Sequence, residues 1–519
     1  MMKNIASKSI WIRSVVAIVG LSILIALGWS LYHPVKSESS ETQKMPTYRA
    51  TYHFTVPDKW KNDPQRPIYL DGKYHYYYLY NRDYPQKNGT EWRHATSTDL
   101  VHWKDEGVAI PKYTNPNGDI WSGSVVIDDN NTAGFGEGTL VAIVTQPSAE
   151  GGKQEQFLWY STDKGKTFTS YRDTPVMSNP GIKDFRDPKI IRDIQRDQWV
   201  MVMAEGTKIG FYESDNLKDW RYTSGFQTEN IGLVECPDLY RMRADDGTYQ
   251  WILGVSANSK STGGPNTYAY WTGDFNGKEF LPDRSEPEWL DYGFDWYGAV
   301  TFEDGKDKDQ YSHRYALAWM NNWDYAHNTP TLKEGFNGMD SIVRQIRLKH
   351  TADAGYLLIS QPVKALEQFQ TSTESFGQIK VEGAHPLPVA GDAYQLEADV
   401  SWSTIKNTGL RLRESADGKR HVDVGVSVDG QYSYLNRANT GQPDQSGKYV
   451  ESKAPFDANK KKVHLNILVD KTSIEVFVDD GEVAYSSLIF PRLEDQGITL
   501  FSDGGPAIFN NVVIKHFNR

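Results

Sequence analysis

Between residue 47 and about residue 355, short apolar and aromatic runs alternate with tight polar turns. No long stretch in this region has the 3.6-residue period of an amphipathic helix. Residues 73–80 (KYHYYYLY) and 199–203 (WVMVM) are typical of short strands joined by hairpins. The pattern predicts an all-β domain built from antiparallel sheets.

A turn-like sequence recurs within this region. Copies begin at residues 97 (STDLVHW), 161 (STD) and 214 (SDNLKDW), and a weaker one begins at residue 271 (WTGD). Self-similarity at about 50–60 residues is typical of propeller blades of four strands, and the region has room for about five of them. We interpret each copy as a structural turn that closes a hairpin, with its aromatic residue packed between blades.

After about residue 360 the alternation of apolar and polar residues becomes more regular. Residues 394–400, 421–428, 463–469 and 473–478 predict strands, and the turns at 479–481 (DDG) and 503–505 (DGG) are expected to separate strands. The only predicted helix is short, at 363–369 (VKALEQF). The prediction is a five-bladed β-propeller in residues 47–358 followed by a β-sandwich in residues 359–519.

The N-terminal segment has a different pattern. Residues 14–32 carry no charge, are nearly all apolar and follow a basic start, which predicts a signal peptide or an uncleaved signal anchor. The run is long for a signal peptide, and Trp29 and Tyr32 lie where interfacial aromatic residues belong, which favours the anchor. We expect residues 1–46 to end in a polar linker, the rest of the chain to lie outside the cytoplasm, and any membrane contact to be confined to this segment.

Composition excludes several classes of function. Lys plus Arg total 56 against 67 Asp plus Glu, a net charge of −11, which argues against a nucleic-acid partner. A single cysteine excludes a disulfide framework and a cysteine zinc site. The cluster at 128–131 (DDNN) is interpreted as a hairpin turn rather than a calcium site. Aromatic residues make up 13% of the chain, and we expect most of them in β cores and a minority against sugars. No metal or cofactor is predicted.

Three acidic residues lie in peptides of unusual composition. Asp63 is followed at once by proline (WKNDP), as is Asp187 (FRDP), and Glu235 is followed by proline two residues later (ECPDLY). Proline fixes φ and lacks an N–H donor, which suits the exposed end of an inner strand. Each peptide alone is more often a structural turn. Because the three acids fall in different predicted blades, we expect them to converge at one end of the central channel.

These motifs, with others, resemble glycoside hydrolase family 32, the fructan hydrolases and invertases. The family carries WMNDPNG, RDP and ECP signatures in this order and at similar spacing. Residues 92–97 (WRHATS), 121–124 (WSGS), 319–323 (WMNNW) and 473–491 also look like family sequence. The resemblance extends from about residue 48 to the C-terminus, and it implies a five-bladed propeller with a C-terminal β-sandwich.

The resemblance also implies roles for the acids. Asp63 is expected to be the nucleophile that forms a fructosyl-enzyme ester, Glu235 the acid/base, and Asp187 the stabiliser of the transition state. Cys236, beside the acid/base, is interpreted as a small buried filler. The expected substrate-binding residues are Trp60, Asn62, Trp92, Trp121, Ser122, Arg186 and Trp323.

The sequence departs from the family pattern around the site. Lys61, Gln65 and Arg66 replace the usual Met, Asn and Gly, while Leu79 and Lys87 lie where exo-acting relatives carry a Gln and a Trp. Fewer contacts to a terminal sugar predict a more open cleft. Within the family, the chain resembles bacterial members that cleave β-2,6-linked fructan (levan), by endo action or by release of a disaccharide.

Other functions remain open from the sequence alone. The same fold and covalent intermediate serve fructosyltransferases, exo-fructanases and invertases. An inverting arabinan-type propeller hydrolase is a more distant enzyme alternative. A sugar-binding surface protein is the non-enzyme alternative, and the presence of all three acids in intact motifs argues against it.

Overall fold

The computed structural model describes residues 47–86, 89–148, 152–353 and 355–518. The predicted signal segment at 14–32 and Lys87 lie outside these ranges. Within them, no helix is long and apolar enough to cross a membrane.

Five antiparallel sheets form the blades of a propeller. The first blade contains β1 (Lys59–Leu70), β2 (Lys73–Asn81), β3 (Glu91–Ser97) and β4 (Lys104–Ile110). The second contains β5 (Gly123–Asp128), β6 (Thr139–Pro147), β7 (Gln154–Ser161) and β8 (Thr169–Ser170). The third contains β9 (Phe185–Asp193), β10 (Gln198–Glu205), β11 (Lys208–Ser214) and β12 (Arg221–Gln227).

The fourth blade contains β13 (Leu233–Arg243), β14 (Tyr249–Asn258), β15 (Tyr268–Phe275) and β16 (Phe280–Pro282), with β17 (Glu288–Trp289) also paired to β15. The fifth begins with β18 (Tyr297–Glu303) and β19 (Arg314–Trp319). A short strand, β20 (Phe336–Asn337), then pairs in parallel with β1. The fifth blade ends with β21 (Arg344–Thr351) and β22 (Gly355–Pro362), so the predicted boundary at 358 falls within β22.

The dense run of aromatic residues in β2 follows from the position of a blade between two neighbours. Tyr74, Tyr76 and Tyr78 face a core cluster shared with the fifth blade and the C-terminal domain, whereas Tyr77 and Leu79 face a cluster shared with the second blade. Because both faces of the strand are buried, alternation of apolar and polar residues gives way to aromatic residues throughout. These rings are core residues, as expected.

Three of the four copies of the recurring sequence form the turn that closes the outer hairpin of a blade, as predicted, whereas the weaker copy at residues 271–274 lies within β15. In the first copy, between β3 and β4, Asp99 Oδ1 accepts hydrogen bonds from the backbone N–H groups of Val101 (3.1 Å) and His102 (2.8 Å). Asp163 and Asn216 accept equivalent backbone hydrogen bonds in the second and third copies. The repeated polar residue therefore stabilises a turn rather than taking part in chemistry.

The C-terminal domain is a β-sandwich of eleven strands. They are β23 (Gln370–Phe376), β24 (Ile379–Ala390), β25 (Tyr394–Trp402), β26 (Asn407–Glu414), β27 (Val422–Ser427), β28 (Tyr432–Asn436), β29 (Glu451–Pro455), β30 (Lys462–Asp470), β31 (Ser473–Val478), β32 (Val483–Leu488) and β33 (Gly497–Phe517). The helices of the described chain are short 3-10 turns at Lys260–Thr262, Pro330–Glu334, Lys364–Phe369, Ala458–Lys460 and Asp479–Gly481. The third of them is the predicted helix.

One predicted turn is wrong. Residues 503–505 do not separate two strands, because β33 continues through them. The first part of β33 pairs with β26 and the later part pairs with β25, so this strand passes from one layer of the sandwich to the other. Gly504 (φ 78°) and Gly505 (φ 149°) allow the bend, since a side chain at either position would be strained or would collide with residues 404–406.

The sandwich packs against the propeller through an apolar cluster and a buried ionic network. His53, from the propeller, is hydrogen-bonded to Asp470 (2.9 Å) and Glu475 (3.0 Å) of the sandwich, and Arg344 joins Glu475 to Asp291 (2.8 Å). Burial alone would lower the pKa of His53, but its hydrogen bonds with the two carboxylates raise it to about 9. Removing one member of such a network leaves a buried charge unpaired, at a cost of about 3–5 kcal/mol. The network therefore locks the two domains in one arrangement.

Candidate active site

The three acids lie on first strands of three blades. Asp63 is on β1, Asp187 on β9 and Glu235 on β13. These strands surround the propeller axis: β9 contacts β13 directly, whereas β1 contacts β5 and β18, which in turn contact β9 and β13. The predicted convergence of the acids at the channel is present in the structure.

Each acid lies at an irregularity of its strand. The pairing register shifts by one residue between Lys61 and Pro64 in β1, across residues 186–189 in β9, and between Glu235 and Asp238 in β13. A bulge re-aims the side chains beside it, and proline is tolerated there because it lacks an N–H to pair. Asp187 also has a positive φ of 62°, which is uncommon for a residue other than glycine. The prolines that marked the acids in the sequence therefore mark strand bulges that turn carboxylates into the channel.

Asp63 is held by short polar contacts. Its Oδ2 accepts a hydrogen bond from Ser122 Oγ (2.8 Å), and its Oδ1 accepts one from Asn62 Nδ2 (3.2 Å). Burial raises the pKa of Asp63, the charge of Glu235 adds to the rise, and the Ser122 and Asn62 hydrogen bonds oppose it. Gly298 (φ 61°) leaves room for this carboxylate, because a Cβ there would lie 3.0 Å from Oδ1.

Glu235 is fixed from two sides. Its Oε1 accepts hydrogen bonds from Arg186 Nε (3.0 Å) and Nη2 (2.9 Å), and its Oε2 accepts a very short one from the Tyr297 hydroxyl. A carboxyl held in this way keeps one orientation toward the cavity. Arg186, one of the expected substrate-binding residues, therefore also holds Glu235 through direct contact.

Asp187 is influenced by the charges of both other acids, Glu235 and Asp63. Its Oδ2 accepts a hydrogen bond from the Cys236 backbone N–H (3.0 Å). Burial raises the pKa of Asp187 to about 7, the Arg186 guanidinium opposes the rise, and the carboxylates of Glu235 and Asp63 add to it. The Cys236 thiol lies 3.6 Å from Asp187 Oδ2 and 3.8 Å from Asp63 Oδ2, and burial raises its pKa well above the usual value. It therefore fills the space between two carboxylates as a neutral thiol.

The acids open into a cavity of about 390 Å³. Its walls carry aromatic rings, amides and charged groups together, which is the composition expected for a sugar site. The lining residues are Trp60, Asn62, Asp63, Leu79, Gly89, Thr90, Trp121, Ser122, Gln154, Asp184, Arg186, Asp187, Glu235 and Trp323. Trp323 is 42% exposed at the mouth, whereas Trp60 is held in place by stacking on Tyr84 and His327.

Trp92 is the one predicted substrate-binding residue that the cavity does not include. Its side chain is fully buried in the core between the first and second blades, and its indole N–H donates a hydrogen bond to the Trp121 carbonyl oxygen (2.9 Å). The expected sugar contact is therefore replaced by a supporting role, in which Trp92 holds the wall that Trp121 forms.

The departures from the family pattern have structural explanations. Lys61 is fully buried and pairs with Asp340, and Arg66 pairs with Glu303. Gln65 Oε1 accepts a hydrogen bond from the backbone N–H of residue 123, which fixes the strand that follows Ser122. Leu79 lines the cavity with an apolar side chain.

Besides Gly89 and Thr90 of the cavity wall, four residues of the site were not singled out from the sequence. Gln154 and Asp184 line the cavity, Tyr297 contacts Glu235, and Gly298 makes room for Asp63. A glycine inside a strand pattern, at residue 298, was the one available signal, because it indicates close approach of another group. The other three look like ordinary strand or turn residues.

Within the described ranges, no group of three or more His, Cys, Asp or Glu residues is arranged to hold a metal ion. The 128–131 cluster is a turn between β5 and β6, as predicted. Asp128 accepts hydrogen bonds there from the backbone of Thr132 (2.9 Å) and Ala133 (2.8 Å).

Known proteins are similar to this chain along its length. It is 65% identical over 508 residues to a levanbiose-producing levanase of Bacillus subtilis (strain 168), covering 98% of each chain. It is 68% identical over 395 residues to a levanbiose-producing levanase of Geobacillus stearothermophilus, covering 76% of this chain and 100% of that one. The crystal structure of exo-inulinase from Aspergillus awamori superposes with a TM-score of 0.82 at 29% identity, covering 91% of this chain and 99% of that one.

Sequence profiles of the Glycosyl hydrolases family 32 N-terminal domain and of the family 32 C terminal match residues 53–362 and 362–516. Together they span the propeller and the sandwich. The chain therefore belongs to glycosyl hydrolase family 32.

Proposed function

We propose that this protein is a retaining glycosidase that hydrolyses the β-2,6 linkages of levan and releases levanbiose. The observation that carries the proposal is the meeting of three carboxylates, from bulges in three blades, in one aromatic-lined cavity. The levanbiose-producing levanase from Bacillus subtilis, 65% identical over 98% of the chain, supports this choice of substrate.

The reaction has two steps. Asp63 attacks C2 of a fructosyl unit and forms an ester, while the C2–O bond breaks and Glu235 gives its proton to the leaving oxygen. Water then attacks C2, Glu235 takes a proton from that water, and the bond to Asp63 breaks. Asp63, held by Ser122 and Asn62, is oriented for attack, and Glu235, held by Arg186 and Tyr297, is oriented for proton transfer.

The remaining groups bind and stabilise the sugar. Asp187 accepts hydrogen bonds from fructose hydroxyls, and its negative charge favours the oxocarbenium-like transition state. Asn62 and Ser122 bind further hydroxyls beside the nucleophile. Trp60, Trp121 and Trp323 supply apolar surfaces for the flat faces of the sugars.

The experiment is incubation with levan, inulin and sucrose, with the products separated by size over time. Levanbiose accumulating from levan, faster than any sugar is released from inulin, is the expected result. Chain lengthening from sucrose would instead indicate a fructosyltransferase. Tight levan binding without product would indicate a binding protein. The Asp63→Asn variant is the matched control, because it keeps the shape of the site and should lose turnover.

We also propose that residues 14–32 direct the protein out of the cytoplasm and anchor or release it at the cell surface. The proposal rests on the length, apolarity and basic flank of this segment. The test is fractionation of cells that make the full chain, with washed membranes and medium assayed for levan hydrolysis. Activity confined to the cytoplasm would contradict the proposal.

A further inference from the structure

Gln154 lines the cavity close to the proposed acid/base, and its amide is held by its oxygen. The residue begins β7 (Gln154–Ser161), lines the cavity and is 9% exposed. Its Oε1 accepts hydrogen bonds from the Phe185 backbone N–H (2.9 Å) and from Arg186 Nη1 (3.2 Å). This fixes the amide, and no described residue accepts a hydrogen bond from Nε2. Because the amide oxygen is held and Gln154 lines the cavity, Nε2 is available to donate a hydrogen bond to an acceptor in the cavity.

Asp184 lies next to this amide. It directly precedes β9, lines the same cavity, and its Oδ1 accepts a hydrogen bond from Arg186 Nη1 (2.7 Å). Its side chain remains 26% exposed, so the carboxylate can accept further hydrogen bonds. Gln154 and Asp184 thus offer a donor and an acceptor side by side, the combination that suits sugar hydroxyls.

The guanidinium of Arg186 connects Gln154 and Asp184 to the proposed acid/base, Glu235. Nε and Nη2 contact Glu235, whereas Nη1 contacts Asp184 and Gln154. The polar contacts of Asp63 are different residues, Asn62 and Ser122. Gln154 and Asp184 therefore lie on the side of the acid/base, where the leaving group must be protonated.

We propose that Gln154 and Asp184 form a subsite for the fructosyl unit on the leaving side of the scissile bond, with Gln154 donating to one hydroxyl and Asp184 accepting from another. This inference rests on the proposed function, because Glu235 must be the acid. A site built to hydrogen-bond a hydroxyl discriminates against a substrate that lacks it. The pair thus favours a sugar over other leaving groups.

The test compares two substrates with the same fructosyl unit and different leaving groups. Levan offers sugar hydroxyls to the subsite, whereas an aryl β-fructofuranoside does not. Gln154→Glu keeps an oxygen that can accept from Phe185 and Arg186, but it replaces the amide donor with a second acceptor and adds a negative charge. Asp184→Asn keeps the shape and removes the charge. For each variant, we expect kcat/KM on levan to fall about tenfold more than kcat/KM on the aryl fructoside, the loss typical of one hydrogen bond.

Equal falls on both substrates in both variants would overturn the inference, as would no fall on levan. Two variants are tested in case one of them does not fold, and circular dichroism is used to check that each variant is folded. Gln198→Glu is the matched control, because the amide of Gln198 bonds to a carbonyl outside the cavity. If the unmodified protein does not hydrolyse levan, the proposed function fails. If it does and the ratio stays unchanged, only the subsite fails.

Discussion

Asp187→Asn should make the protein progressively more stable than the parent as pH rises from about 4 to about 7, with the full gain above about pH 7, while removing most of its activity. Asp187 is buried. Burial raises its pKa from 3.8 to about 7, Arg186 opposes the rise, and the Glu235 and Asp63 charges add to it. The folded protein therefore holds a proton between about pH 4 and 7 that the unfolded chain has released. The free energy of unfolding must fall across this range, by up to about 4 kcal/mol at about 1.4 kcal/mol per pH unit.

Asparagine has no proton to lose, so this decrease in the free energy of unfolding should be absent from the variant. The two proteins should be equally stable near pH 4, and the variant should gain up to about 4 kcal/mol at pH 8. The amide oxygen can still accept the hydrogen bond from the Cys236 backbone, so the fold around position 187 should be retained. Activity falls because the charge that stabilises the transition state is gone.

The assay is urea unfolding followed by tryptophan fluorescence at pH 4, 6 and 8. Asp173→Asn is the matched control, since Asp173 is exposed and lies away from the cavity, and it should change the midpoint little at any pH. An Asp187→Asn variant that is no more stable than the parent at pH 8 would refute the reasoning, because the buried charge would then have no energetic cost.

For three further substitutions, the structure determines the direction of the expected change in pH dependence. Glu235→Gln removes a charge that raises the pKa of Asp63, so the acid limb of the pH profile of kcat/KM on an aryl fructoside should move to lower pH. On levan, kcat should fall about 10²–10⁴-fold because the variant has no acid to protonate the leaving group. Ser122→Ala removes a hydrogen bond that lowers the same pKa, so the acid limb should move to higher pH, and a shift in the same direction as Glu235→Gln would contradict this. The third concerns His53, whose folded pKa of about 9 exceeds its ordinary 6.5, so its stabilisation is complete below about pH 6.5 and is lost as pH rises through 9. In His53→Gln, unfolding midpoints should lack the corresponding fall of about 3 kcal/mol between pH 6.5 and 9, and an unchanged fall would argue against a charged imidazole at the domain interface.

The three acids of the site could be predicted from the sequence because each is followed by a proline, which changes the local backbone. Proline after an acid signals a place where a strand cannot pair, and in β1, β9 and β13 that place is a bulge at the channel. The blade turns were equally readable, because Asp99 and its counterparts bond to the backbone within their own turn. Such local signals survive without knowledge of the fold.

Other parts of the site depend on contacts between distant segments. Tyr297 meets Glu235 across 62 residues, and Arg186 joins Glu235 to Gln154 across blades. Nothing in the neighbourhood of Gln154 distinguishes it from an ordinary strand residue. Trp92 shows the opposite error, because the sequence does not distinguish a residue that lines the cavity from one that packs behind a lining residue such as Trp121. The bend in β33 was mistaken for a turn because two adjacent glycines suit either.

The central claim is that Asp63 becomes covalently bound to the sugar. The most direct measurement uses the Glu235→Gln variant with an aryl β-fructofuranoside, whose phenol leaves without an acid. The ester then accumulates because no base activates water. Peptide mass spectrometry after rapid acid quench should find a fructosyl adduct on Asp63. An adduct on another carboxylate, or turnover with no adduct at all, would contradict the account.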